Sequence, residues 1–169
     1  SSIILNPDGI HYGKGDETLN DTAKVLSEYV DIVMLRTSSH KNLEEFGKHL
    51  NIPIINGLSD LSHPCQIMSD ILTYEESNGS IEDKTVSWIG DGNNNMSNSL
   101  IEAAGKFNFK LKIGCPKKYS PNKSILKLAK KERIKLTITS KPLEAVEGAD
   151  CVMTDKWISM NDKVNKASK

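Results

Sequence analysis

Thr85-Val86-Ser87-Trp88-Ile89-Gly90-Asp91-Gly92-Asn93-Asn94-Asn95-Met96 reads as a short buried strand, a glycine-rich turn and the opening of a helix. The first five residues are mostly β-branched, aromatic or aliphatic. Gly90-Asp91-Gly92 then breaks the run, and apolar residues recur at helical spacing from about 95 to 107. A strand that feeds a helix is the repeating unit of a parallel sheet, because parallel neighbours can be joined only through a crossover. The fold class therefore turns on whether this unit is repeated on either side.

It is. Downstream come a strand over 111–114, Pro116, a basic helix over 123–132, a strand over 136–139, a short helix over 143–146 and a strand over 151–154. Upstream, a helical run begins at His63-Pro64-Cys65-Gln66 and carries Ile67, Met68, Ile71 and Leu72 on one face; its proline suits the first turn, where no backbone donor is lost. Residues 75–80 form a polar break after it. Before it lie a strand over 53–56 with a turn at Gly57, a helix over 42–50, a strand over 32–37 and a helix capped by Asp21. The first elements are a strand over 2–6 and a Gly/Asp-rich loop through Gly15. These readings predict an α/β protein of two lobes, each a parallel sheet flanked by helices. The division falls at 1–62 for the first lobe, 63–79 for a connecting helix and 80–169 for the second lobe, with both lobes incomplete at the chain ends.

Composition narrows the function classes. Of 169 residues 37% are hydrophobic and 26% charged, which is globular rather than disordered composition. The 22 basic and 22 acidic side chains balance, so no global field draws nucleic acid or an acidic membrane surface. The basic run from Lys127 to Arg133 has an apolar face and no interleaved aromatics, which fits a solvated outer helix face. No apolar stretch is long enough for a membrane span. Three scattered cysteines, Cys65, Cys115 and Cys151, have neither metal-ligand spacing nor a disulfide pattern, and favour a reducing compartment.

Ligands of parallel sheets gather beyond the carboxyl ends of the strands, so polar groups there carry most weight. Arg36 closes one strand. His63 and Gln66 follow another, at a helix mouth whose free N–H groups and positive dipole end suit an anion, while imidazole and carboxamide suit a carbonyl oxygen and an amide. The turn from Gly90 to Asn94 closes a third strand, and Asp155, with Trp157, Ser159 and Met160 beyond it, closes the last. Each group also has a bland explanation: a paired arginine, a capped helix start, asparagines tolerating a turn. A dinucleotide reading of Gly90-Asp91-Gly92 fails on two counts. Asn95 stands where the third glycine belongs, and the next strand ends Ile113-Gly114-Cys115-Pro116 without an acid for a ribose.

Five co-linear stretches carry a family likeness: 21–26 (Asp-Thr-Ala-Lys-Val-Leu), 34–37 (Met-Leu-Arg-Thr), Asn56-Gly57-Leu58-Ser59-Asp60 running into His63-Pro64-Cys65-Gln66, 88–94 (Trp-Ile-Gly-Asp-Gly-Asn-Asn) and 154–160 (Thr-Asp-Lys-Trp-Ile-Ser-Met). Together they resemble the ornithine carbamoyltransferases of the aspartate/ornithine carbamoyltransferase family, over essentially the whole chain. The resemblance implies carbamoyl transfer from carbamoyl phosphate to the side-chain amine of L-ornithine, with no metal or other cofactor. It implies that Arg36, His63 and Gln66 are catalytic, and that they bind carbamoyl phosphate together with Pro64, Cys65 and His11, the last reaching across a subunit boundary in a homotrimer. Asn94, Asp155, Ser159 and Met160 take the place of ornithine contacts. A cytoplasmic enzyme is implied, or a mitochondrial one if the source is eukaryotic. Asn161 stands where the family usually has glycine. The Ser-x-Arg-Thr phosphate loop and the later His-Cys-Leu-Pro segment are not among these residues, so the chain resembles the middle of such an enzyme. Alternatives are a carbamoyltransferase for putrescine or an acylated ornithine, and a non-catalytic ligand-binding piece of the same fold.

Overall fold

The computed structural model describes residues 2–5 and 18–155. The chain forms two compact units that divide between Ser59 and Asp60. Both are α/β, and every strand pairing is parallel.

In the first unit, helix α1 (Leu19–Tyr29) leads to strand β1 (Val33–Arg36), helix α2 (His40–His49) and strand β2 (Ile54–Leu58). Thr18 rather than Asp21 caps α1, its side chain accepting from the Asp21 backbone N–H, and Ser39 caps α2 in the same way through Asn42. α1 therefore begins three residues and α2 two residues before the sequence expectation, because in each a hydroxyl three residues upstream satisfies an orphan donor. The expected turn at Gly57 is instead a bulge inside β2. Leu35 faces Asn56 but Arg36 faces Leu58, so Gly57 is the extra residue. A Cβ at Gly57 would lie 3.0 Å from Met34 Cγ and 3.3 Å from Leu35 O, and glycine alone makes that approach easy.

Residues 2–5 are not a strand, contrary to expectation. Their apolar pattern is strand-like, but Ile3 and Ile4 are exposed and none of these residues joins a sheet. Ile3 and Leu5 instead help line an apolar cavity of about 340 Å³ together with Leu26, Val30 and Phe46.

The second unit contains helix α3 (Pro64–Asn78), strand β3 (Thr85–Ile89), helix α4 (Asn95–Lys106), strand β4 (Lys110–Gly114), a 3₁₀ turn over Lys117–Tyr119, helix α5 (Lys123–Lys131), strand β5 (Leu136–Thr139), helix α6 (Pro142–Val146) and strand β6 (Cys151–Thr154). Its sheet has the order β5-β4-β3-β6, so β3 lies inside and is buried along its whole centre. Trp88, Leu111 and Ile113 from the sheet pack with Leu100 and Ile101 of α4, and Ile67 and Ile71 bring α3 into this core. Burial of that kind is what fixes α3 in the second unit. The polar break expected over 75–80 is shorter than anticipated, since α3 runs on through Glu75, Glu76, Ser77 and Asn78 and stops at Gly79. Glutamates at an exposed helix end are good helix formers, and polarity alone does not end a helix.

Candidate functional site

Arg36 is the last residue of β1 and is exposed. The strand ends around it are tied together by short-range bonds. Thr37 N–H donates to Leu58 O (3.0 Å), Ser39 N–H donates to Thr37 Oγ1 (3.3 Å), and His40 Nδ1 lies 2.9 Å from the Oγ of Ser59, which is fully buried. His40 is a member of this cluster that the sequence reading missed. Its only signal was its place at the first turn of α2, four residues after Arg36.

In the second unit, His63 occupies the N-cap position of α3 and Pro64 follows in the first turn. The His63 side chain makes no capping hydrogen bond, so the first-turn N–H groups of α3 are left to other acceptors. Gln66 is exposed and its Nε2 donates to Asp70 Oδ1 one turn on (2.9 Å), which holds the carboxamide on that side of the helix. Cys65 is half-buried and forms no disulfide among the described residues.

Helix α4 positions the chain that leads into this corner. His63 N–H donates to Ser99 Oγ (2.7 Å), Ser99 Oγ–H donates to Asn95 O (2.9 Å), and Asn98 Nδ2 donates to Leu61 O (3.0 Å). Sequence reasoning overlooked Asn98 and Ser99. Their signal is a run of buried polar residues, Ser97, Asn98 and Ser99, on a helix whose buried positions would ordinarily be apolar.

The β3–α4 turn is built by its own side chains. Trp88 Nε1–H donates to Asp91 O (2.9 Å), and Asp91 Oδ1 accepts from Asn93 N–H (2.7 Å). Asn94 caps α4: its Oδ1 accepts from Ser97 N–H (2.8 Å), while Asn94 N–H donates to Ser97 Oγ (3.2 Å). The buried Asn94 thus has a structural task through its oxygen, which leaves its Nδ2 as the group available to a ligand. Asp155 follows β6, and Ile89 of β3 faces Thr154 of β6, so the Asn94 turn and Asp155 leave adjacent strands at the same sheet edge. Asp155 is exposed.

The second unit therefore carries His63 and Gln66 at the mouth of α3, Asn94 at the mouth of α4 and Asp155 just past the end of β6. Arg36 belongs to the first unit. His11, Ser159 and Met160 lie outside the described residues. Among the described residues no group of three or more His, Cys, Asp or Glu side chains gathers as metal ligands would, and no helix is long and apolar enough to cross a membrane.

Two family models match the chain. The "Aspartate/ornithine carbamoyltransferase, carbamoyl-P binding domain" matches residues 1–76, and the "Asp/Orn binding domain" of the same family matches residues 82–169. The ornithine carbamoyltransferase of Caulobacter vibrioides is 49% identical over 162 residues, 96% of this chain and 51% of that protein. The anabolic ornithine carbamoyltransferase of Pseudomonas aeruginosa is 46% identical over 168 residues, 99% of this chain and 53% of that protein. Among solved structures, anabolic ornithine carbamoyltransferase from Campylobacter jejuni superposes with a TM-score of 0.82 at 35% identity, covering 91% of this chain and 52% of that one. The Pyrococcus furiosus ornithine carbamoyltransferase gives 0.80 at 38% identity, with coverages of 90% and 50%. The chain spans about half the length of the curated relatives it matches.

Proposed function

Because the chain belongs to the aspartate/ornithine carbamoyltransferase family, we propose that it supplies the central part of an enzyme that transfers the carbamoyl group of carbamoyl phosphate to the side-chain amine of L-ornithine. The observation that carries this reading is the α3 mouth. There the positive end of the α3 dipole, the His63 imidazole at the N-cap and the Gln66 carboxamide in the first turn come together, a combination suited to an anion that also carries an amide. Residues 63–79 are then the connecting helix between the two substrate-binding parts.

In this reading the neutral amine of ornithine attacks the carbonyl carbon of carbamoyl phosphate. The new C–N bond forms, the C–O bond to phosphate breaks, the nitrogen loses a proton, and L-citrulline and phosphate result. Arg36 and His63 stabilise charge building on the oxygens, and Gln66 orients the carbamoyl amide. Asn94 and Asp155, with Ser159 and Met160, hold the amino-acid end of ornithine. His11 contributes to carbamoyl phosphate from a neighbouring subunit of a homotrimer. The anabolic designation of the Pseudomonas aeruginosa and Campylobacter jejuni relatives supports the citrulline-forming direction, toward arginine.

The test is a chimera in which this chain replaces the matching half of the Pseudomonas aeruginosa enzyme. Citrulline formation from carbamoyl phosphate and ornithine is expected, with ornithine strongly preferred over putrescine in direct competition. Arg36→Ala and His63→Ala should each lower kcat by about 10²-fold or more. A chimera that assembles but makes no citrulline overturns the reading; wild-type turnover in either alanine variant overturns that residue's role.

A further inference from the structure

We infer that Asn98 and Ser99 of α4 are positioning residues for the His63–Gln66 corner, setting the register of residues 61–63 and through it the placement of His63. The inference rests on the carbamoyl-transfer reading above and extends it to residues that touch no substrate.

The direction of each hydrogen bond is informative. A serine inside a helix commonly donates its hydroxyl proton to the carbonyl four residues back, and Ser99 does so to Asn95 O (2.9 Å). With its proton committed there, the oxygen has only acceptor capacity left, and at 2.7 Å it takes the His63 N–H. Ser99 therefore links the first turn of α4, directly behind Asn94, to the N-cap of α3. One residue earlier, Asn98 donates to Leu61 O, so the incoming loop is held at 61 and again at 63.

Helix stability does not account for this pair. Asn98 and Ser99 are both 4% exposed, and Asn98 Oδ1 is buried without a donor among the described residues. An unsatisfied buried acceptor destabilises, and apolar side chains at both positions would serve the core better. What the polar pair gives in return is one definite path for the backbone into α3. Displacement of a reacting group by about 1 Å is enough to cost up to 10²-fold in rate.

Two measurements test the inference. In the 169-residue chain, Ser99→Ala should speed hydrogen exchange of the His63 amide about tenfold, as expected for loss of one good hydrogen bond. In the chimera, Ser99→Ala should lower kcat about tenfold or more, with KM for ornithine within about twofold of wild type. Ser99→Thr, which keeps the hydroxyl, should recover most of kcat. Asn98→Ala is the second variant should Ser99→Ala not fold, with the same direction expected. Asn122→Ala removes the N-cap of α5, whose Oδ1 accepts from Ser124 and Ile125, and serves as a control that loses stability without touching residues 61–63. If Ser99→Ala and Asn98→Ala keep wild-type kcat, or if Asn122→Ala loses as much, the positioning role is overturned while the carbamoyl-transfer reading stands. An inactive wild-type chimera overturns both.

Discussion

A methyl group added at Gly92 would sit 2.8 Å from the backbone oxygen of Tyr119 and 3.1 Å from both Cys115 Sγ and Pro121 Cδ. Neither a backbone carbonyl nor a proline ring yields easily, so Gly92→Ala should destabilise the second unit by about 1–3 kcal/mol, read as a lowered Tm by calorimetry. The neighbouring Cys115 is held above its ordinary thiol pKa, chiefly by burial, and Cys151 likewise by burial and then by the negative charge of Asp70. Both folded-state values are raised, so the stability these thiols contribute is complete below their ordinary value of 9.0 and is lost as pH climbs through the folded values. Urea midpoints should accordingly hold up to about pH 9 and fall above it, and Cys115→Ala should flatten that fall. At this scale the sequence was readable where a residue breaks its local pattern: Arg36 ends an apolar strand, and Pro64 marks a first turn. It was unreadable where the meaning lies in a distant partner. Nothing around Ser99 in the chain announces that His63, 36 residues away, hangs from its hydroxyl.

Helix α4 shows how an element can combine a structural and a site role. Its capping box satisfies two backbone donors reciprocally through Asn94 and Ser97. Ser97→Ala should therefore cost about 1 kcal/mol, measured by urea unfolding. The strands and helices of the second unit were legible because hydrophobic period and turn chemistry agree there: β3, β5 and β6 fall on their expected residues, and α4 and α5 differ by a residue at one end. Disagreements occur where a local signal admits two outcomes. Gly57 reads equally as a turn or as a bulge, and only pairing with β1 decides for the bulge. Residues 2–5 have the composition of a strand, yet a strand exists only beside a partner.

At the scale of the molecule, the two units differ in how their apolar surface is handled. The second has a central strand covered by helices and a contiguous core; the first has a two-stranded sheet, with Met34, Tyr29, Ile32 and Val25 exposed. Trp88 is buried in the core of the second unit, and no tryptophan precedes it in the sequence. Indole fluorescence should thus report that unit's unfolding alone, while far-ultraviolet circular dichroism follows both. The dichroism change should begin at lower urea than the fluorescence change, and coincident curves would show that the units unfold as one. The open flanks of β1 and β2 bear on how the protein is handled in the laboratory. Among the described residues β1 and β2 pair only with each other, beside an apolar hollow of about 340 Å³, an arrangement that invites sticking between copies, so recombinant material should accumulate in inclusion bodies at 37 °C and brighten an apolar dye. Met34→Lys, at an outward-facing position on that ribbon, is the substitution that should raise the yield of clear, concentrated solution.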